Sequence, residues 1–180
     1  MSTSRTTYDS TTIILHWLTA VLVILAFLLA MFWDDVPRPL GHLMVDTHMS
    51  LGITLAVVLA IRLVWRNTLG VKLPSTGQLE WVAKALHHTL YLLLPAQLAL
   101  GVFLRWTQNH PLNIFGLLIA SPFGTFSKST AEFVDNIHDI AAWTVISLAG
   151  VHAAAALMHH FILRDGVLRR MLPARNAGKK

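Results

Sequence analysis

Ile13–Trp33 reads IILHWLTAVLVILAFLLAMFW, a stretch with no formal charge from end to end. A helix rises about 1.5 Å per residue, so about 20 such residues cross the roughly 30 Å of hydrocarbon in a bilayer. A secretory signal has a shorter apolar core and a more basic start. Here Arg5 is the one base before the stretch, and similar segments follow it. The stretch is therefore expected to be a retained membrane helix.

Three more segments follow. Thr47–Ile61 is uncharged but short, about 22 Å of helix, inside an apolar region Leu43–Trp65. Asp46 and Arg62 are then expected near the two interfaces, with Arg62 snorkelling outward. Ala85–Leu104 is uncharged throughout and contains Pro95, which neighbouring helices can accommodate. Ile140–Leu163 is the longest uncharged run, and Gly150 with Ala153–Ala156 suits close approach of a neighbour or a flat ligand.

Composition agrees. Of the 180 residues 54% are hydrophobic and 13% charged, about half the charged share usual in soluble domains, roughly 25%. So few charges cannot cover the surface of a soluble protein this size, and the apolar content excludes disorder. The absence of cysteine excludes disulfides, iron–sulfur clusters, thiolate zinc and the C-x-x-C-H attachment of c-type haem.

The fold class is thus an all-α, integral membrane, up-down four-helix bundle. A single domain over residues 1–180 would have helices at about 12–33, 43–65, 84–106 and 137–163 and a basic tail at 164–180. Eleven Lys and Arg fall on one side (Arg5, Arg62, Arg66, Lys72, Lys84, Arg164, Arg169, Arg170, Arg175, Lys179, Lys180) against Arg38, Arg105 and Lys128 on the other. That bias puts both termini in the cytoplasm. Trp33, Trp65, Trp81 and Trp106 fall at segment ends, as in an interfacial aromatic belt. The long outer connection Thr107–Asn136 carries apolar residues and is expected to lie along the membrane surface. The partner is the lipid bilayer, and no nucleic acid is expected.

Eight of the ten histidines lie in or beside these segments: His16, His48, His87, His88, His138, His152, His159 and His160. His42 and His110 read as solvated loop residues. An ionisable residue inside a membrane is costly and marks a candidate site. His16 sits a turn inside the cytoplasmic end of the first helix, His48 begins the second on the outer side, and His87 begins the third on the inner side. His138 begins the fourth on the outer side. Four turns later, His152 lies about 21 Å inward on nearly the same face, with His159 two turns beyond it. The outer layer therefore holds His48 and His138. The inner layer holds His16 and His152, with His87 and His159 nearby. Two histidines from different helices at one depth match axial ligation of a b-type haem, and the repeat gives two stacked haems. Gly52, Gly150 and Ala153 leave room for a flat ring.

Other metal chemistry fits less well. Zinc needs three or four ligands, and a di-iron bundle needs Glu-x-x-His pairs. Glu80 and Glu132, the only glutamates, read as loop residues. A histidine-lined proton path, channel or metal transporter stays open.

These stretches resemble the bacterial cytochrome b561 family of dihaem membrane proteins: ILHW around His16, DTHMSLGI around His48, HHTLYLLLPAQLALG from His87, and IHDIAAWTVISLAGVHAAAALMHHF followed by RDGVLRRMLP. The similarity runs from about residue 8 to 173. The resemblance implies that His16 with His152 holds the cytoplasmic-side haem and His48 with His138 the outer one. It also implies a multi-pass protein of the bacterial inner membrane that oxidises superoxide outside and reduces ubiquinone within. Alternatively, the same bundle anchors a separate dehydrogenase or hydrogenase and links it to the quinone pool. His159, then His87 and Lys72, and more weakly Arg170, are the quinone candidates. Arg38, Arg105 and Lys128 are the outer bases able to attract superoxide or pair a haem propionate, among six outer acids (Asp34, Asp35, Asp46, Glu132, Asp135, Asp139).

Overall fold

In a computed structural model the structure describes residues 7–73 and 80–173. Arg5, Arg175, Lys179 and Lys180, counted above for orientation, lie outside the described residues. Four helices are long and apolar enough to cross a membrane. Helix α1 spans Ser10–Phe32, α2 Arg38–Thr68, α3 Glu80–Thr107 and α4 Lys128–Met158.

Local chemistry sets their ends. The Asp9 carboxylate accepts from the Thr12 amide at 2.9 Å and the Thr12 hydroxyl at 2.7 Å, capping α1. Pro37 and Pro39 open α2 where a missing N–H costs nothing. The turn between α1 and α2 requires glycine at 41, because a Cβ there would lie 2.6 Å from the Trp33 carbonyl oxygen. Ser127 caps α4 through the Thr130 amide. Helix α3 stays helical through Pro95.

Helices α2 and α4 start earlier than the uncharged windows suggest, at Arg38 and Lys128. Their first turns are polar, so hydropathy sees only the part that meets hydrocarbon. His42 and Glu132 are consequently helical, and Glu80 is the first residue of α3, which corrects their reading as loop residues. His42 is exposed all the same, and His110 lies in an exposed non-helical stretch.

Between α3 and α4, strands β1 (Leu112–Ile114) and β2 (Leu117–Ile119) form an antiparallel hairpin. Its central residues Phe115 and Gly116 both have positive φ, +51° and +89°, as a primed hairpin turn demands. The Phe115 amide donates to the Ser50 hydroxyl at 3.0 Å, fastening the hairpin to α2. After Met158 the chain makes a π-helical turn, His159–Leu163, then a 3-10 turn, Leu168–Met171.

Helix α1 packs chiefly on α2 and α3 on α4, while α2–α3 and α1–α4 contacts close the ring. The core is thin: Leu15, Leu22, Leu55 and Val58 in one cluster, Leu59, Leu94 and Val145 in another. Large apolar side chains point outward instead, Leu92 at 74% exposure among them. Lipid is as apolar as leucine, so packing and hydrogen bonds must hold such a bundle. Several of those hydrogen bonds lie at its basic end. The Trp65 indole donates to Asp9 at 2.9 Å, the Val71 amide to Asp9 at 3.1 Å and the Trp17 indole to the Met171 carbonyl at 2.8 Å. The Tyr8 amide donates to the Arg170 carbonyl at 3.1 Å. Trp65 thus turns inward; Trp81, 71% exposed, is the one of the four end tryptophans that suits a lipid interface most simply.

Candidate functional site

The inner histidines converge. The His16 and His152 ring centroids are 6.1 Å apart, and the His87 ring lies 5.0 Å from His152. Three helices, α1, α3 and α4, supply one ring each, all half-buried. An imidazole nitrogen binds a metal at about 2 Å, so two rings facing one ion keep centroids roughly 6 Å apart. His16 and His152 have that spacing; His87 is closer to His152 than an intervening ion allows.

Arg62 corrects its sequence reading. Rather than snorkelling outward, it donates from Nη2 to His16 Nδ1 at 3.0 Å, and its guanidinium lies 5.4 Å from the Tyr91 ring centroid. Arg66 lies over the same ring at 5.9 Å. An acceptor nitrogen and an aromatic face inside the bundle outcompete the interface. Guanidinium cannot accept, so His16 Nδ1 carries the lone pair in this arrangement. The neutral ring then carries its proton on Nε2, and coordination there would require the proton to move to Nδ1 and the Arg62 hydrogen bond to break.

The outer histidines share a cavity of about 740 Å³, within the range of cofactor sites, about 300–1,000 Å³. His48 Nδ1 donates to the Ala26 carbonyl at 2.8 Å. That fixes the tautomer and leaves the Nε2 lone pair for a ligand, the usual supporting contact of a metal-binding histidine. Across the cavity the Gln97 amide donates to His138 Nε2 at 3.2 Å and to the His138 carbonyl at 3.0 Å. His138 Nδ1 and Gln97 Oε1 are buried without a partner. Buried polar atoms are normally bonded, so this pair marks a place where a ligand belongs. Gly52 lines the cavity with no heavy atom within 4 Å of where a Cβ would stand, and a Cβ on Gly101 would reach 3.0 Å from the His138 ring. Gln97 was missed by the sequence reading; an amide inside an apolar span, one turn before a glycine, is the signal.

The remaining candidates divide. Arg105 lines the outer cavity beside Asp135 and Asp139, its Nε donating to the Pro111 carbonyl at 3.3 Å. Arg38 is exposed at the start of α2, and Lys128 pairs at 3.5 Å with Glu132. His159 Nδ1 is paired with Asp165, drawn there by the π turn, rather than joined to the His152 cluster. Hydrogen bonding from His159 holds the Asp165 carboxyl below the usual carboxylate range. His88 is exposed and donates to the Lys84 carbonyl at 2.6 Å, and Lys72 is exposed after α2. Among the described residues no three His, Asp or Glu side chains gather as a metal-ion site.

The sequence is similar to known membrane cytochromes. The family description "Prokaryotic cytochrome b561" matches residues 7–174. Cytochrome b561 homolog 2 of Escherichia coli K12 is 33% identical over 162 residues, covering 87% of this chain and 86% of that protein. Cytochrome b561 homolog 1 of the same strain is 30% identical over 174 residues, covering 93% and 98%. A protein of Yersinia pestis named probable superoxide oxidase CybB is 27% identical over 172 residues, covering 92% and 96%. A match over nearly the whole length of a chain with four membrane helices means that this chain belongs to the prokaryotic cytochrome b561 family, whose members carry b-type haem.

Proposed function

We propose that this chain holds two b-type haems, one between His48 and His138 and one between His16 and His152, and carries electrons from an outer donor, superoxide, to ubiquinone. The observation that carries the reading is the outer cavity, where His48 offers a free Nε2 and His138, its own Nε2 held by the Gln97 amide, lines the same glycine-lined space. The 6.1 Å separation of His16 and His152 supports the inner pair. When bound, a b-type haem supplies reversible one-electron chemistry.

The chain's own residues do the rest. The Ala26 carbonyl orients His48, Gln97 steadies His138, and Gly52 keeps the cavity open. In its lining Arg105 offers positive charge to an approaching anion, against Asp135 and Asp139. The steering field is therefore local to Arg105. Each superoxide oxidised to dioxygen releases one electron, and a quinone needs two electrons and two protons to become a quinol. His159 is the leading proton donor to a quinone oxygen, with Asp165 holding its Nδ1; His87 and Lys72 are the alternatives. The basic end, which carries Arg164, Arg169 and Arg170, faces the cytoplasm of a bacterial inner membrane in this reading.

The test is anaerobic mixing of purified haem-loaded protein with superoxide and a short-chain ubiquinone. Quinol forming at one mole per two superoxides supports the proposal, and haem left oxidised under a superoxide flux contradicts it. A second reading, an anchor linking a dehydrogenase or hydrogenase to quinone, draws on the hairpin, whose Phe115, Leu117 and Leu118 are exposed and could seat a partner. Co-purification of a stoichiometric dehydrogenase or hydrogenase would favour it.

A further inference from the structure

The turn at the end of α4 carries, besides His159 and Asp165, residues that the redox reading does not use. The π turn His159–Leu163 is followed by Arg164 in the left-handed region, φ +53°, and Gly166 at φ +78°. A bulky residue seldom adopts that conformation, because its Cβ crowds the backbone. These two left-handed residues and the 3-10 turn after them bend the chain back on itself. The result is a pocket of about 200 Å³ lined by His160, Phe161, Arg164, Gly166 and Arg169.

Its charge is uncompensated. Asp165, the carboxylate next in the chain, is occupied by His159 and by the Val167 amide at 3.1 Å. Among the described residues no carboxylate pairs with Arg164 or Arg169. The pocket sits where the span Lys128–Leu163 ends, and the neighbouring apolar side chains face outward, Phe161 at 66% and Ile162 at 73% exposure. Two guanidinium groups and an imidazole beside a lipid-facing aromatic form an amphipathic recess. Guanidinium matches phosphate oxygens in a fork geometry that lysine lacks, and anionic headgroups attract basic residues at a membrane surface.

We propose that this pocket binds a phosphate group, that of an anionic phospholipid, with His160, Arg164 and Arg169 as its partners and Phe161 as the wall for the lipid's apolar part. The site shares its turn with His159 and Asp165 but is lined by neither, and it lies apart from the cluster of His16, His87 and His152.

The test is titration of the detergent-purified full chain with phosphatidylglycerol and with phosphatidylcholine, read by native mass spectrometry. The wild-type chain should bind phosphatidylglycerol at least tenfold more tightly than phosphatidylcholine. R164Q/R169Q should lose that preference. R164G should weaken it severalfold while folding at least as well, since glycine suits the left-handed position. R38Q/K128Q, with the same charge loss at the opposite end, should keep it. Inorganic phosphate at low millimolar concentration should fail to displace the lipid; full displacement would assign the pocket to the free anion and overturn the lipid source. Equal binding of the two lipids, a preference that survives in R164Q/R169Q, or equal loss in R38Q/K128Q would overturn the proposal.

Discussion

His48 on α2 donates its Nδ1 proton to the carbonyl of Ala26 on α1, 2.8 Å away. A backbone carbonyl cannot donate, so this contact alone decides which ring nitrogen is free. The free one, Nε2, belongs to a residue lining the same cavity as His138 and Gly52.

Filling that cavity should displace its ligand without straining the fold. A Cβ at Gly52 meets nothing within 4 Å, so Gly52→Leu is expected to fold normally and lose the outer haem. Gly101→Ala presses on the His138 ring at 3.0 Å. It should retain haem but shift the outer band and lower occupancy. Absorption spectra with haem quantified per chain check both.

Arg62 lies inside the bundle over the Tyr91 ring, so its charge stays near His16 when their hydrogen bond is given up. Positive charge near a redox centre disfavours its oxidised form, so Arg62→Gln should lower the inner midpoint potential. A shift of roughly 60 mV is expected, a tenfold change for a one-electron couple. Potentiometric titration checks it, and the outer potential should move far less.

How much of this was legible in the sequence follows from what each signal measures. Hydropathy found all four spans because each holds a long run without a formal charge, even the short-windowed α2. It missed the polar first turns of α2 and α4, which lie outside hydrocarbon. Helical spacing grouped His48 with His138 and His16 with His152 by depth, and the structure places the first two on one cavity and the second two 6.1 Å apart with His87. It could not foresee Arg62 turning inward, because snorkelling is a default that an internal acceptor overrides. Nor could it foresee His159 meeting Asp165, since a π turn breaks the regular α-helical spacing.

Asp9 joins three segments at the basic end. Asp9→Ala removes a cap, about 1 kcal/mol, and strands the Trp65 and Val71 donors, about 1–3 kcal/mol more for buried groups. A loss of roughly 2 kcal/mol is expected, because these groups are only half-buried. Burial pushes the Asp9 carboxyl up, but the hydrogen bonds from Thr12, Val71 and Trp65 outweigh it and hold it below its ordinary 3.8. A depressed folded value means stabilisation that is fully present above the unfolded value and lost as pH falls through the folded one. The difference in thermal midpoint between wild type and Asp9→Ala should therefore be the same at pH 6 and pH 8 and shrink only below about pH 4.

Arg105 is the outer base that reaches the cavity. Arg105→Gln should slow reduction by superoxide about three- to tenfold and flatten its dependence on ionic strength. Lys128→Gln, already paired with Glu132, should change neither. Stopped-flow rates at two salt concentrations separate the two.

The central claim is two haems on two histidine pairs. It is tested most directly by a reduced-minus-oxidised spectrum, with haem per chain, for wild type, His138→Ala and His152→Ala. The account predicts two b-type haems in wild type and one in each variant, with different bands lost in the two. A wild-type chain with one haem or none, or variants that lose the same band, would contradict it.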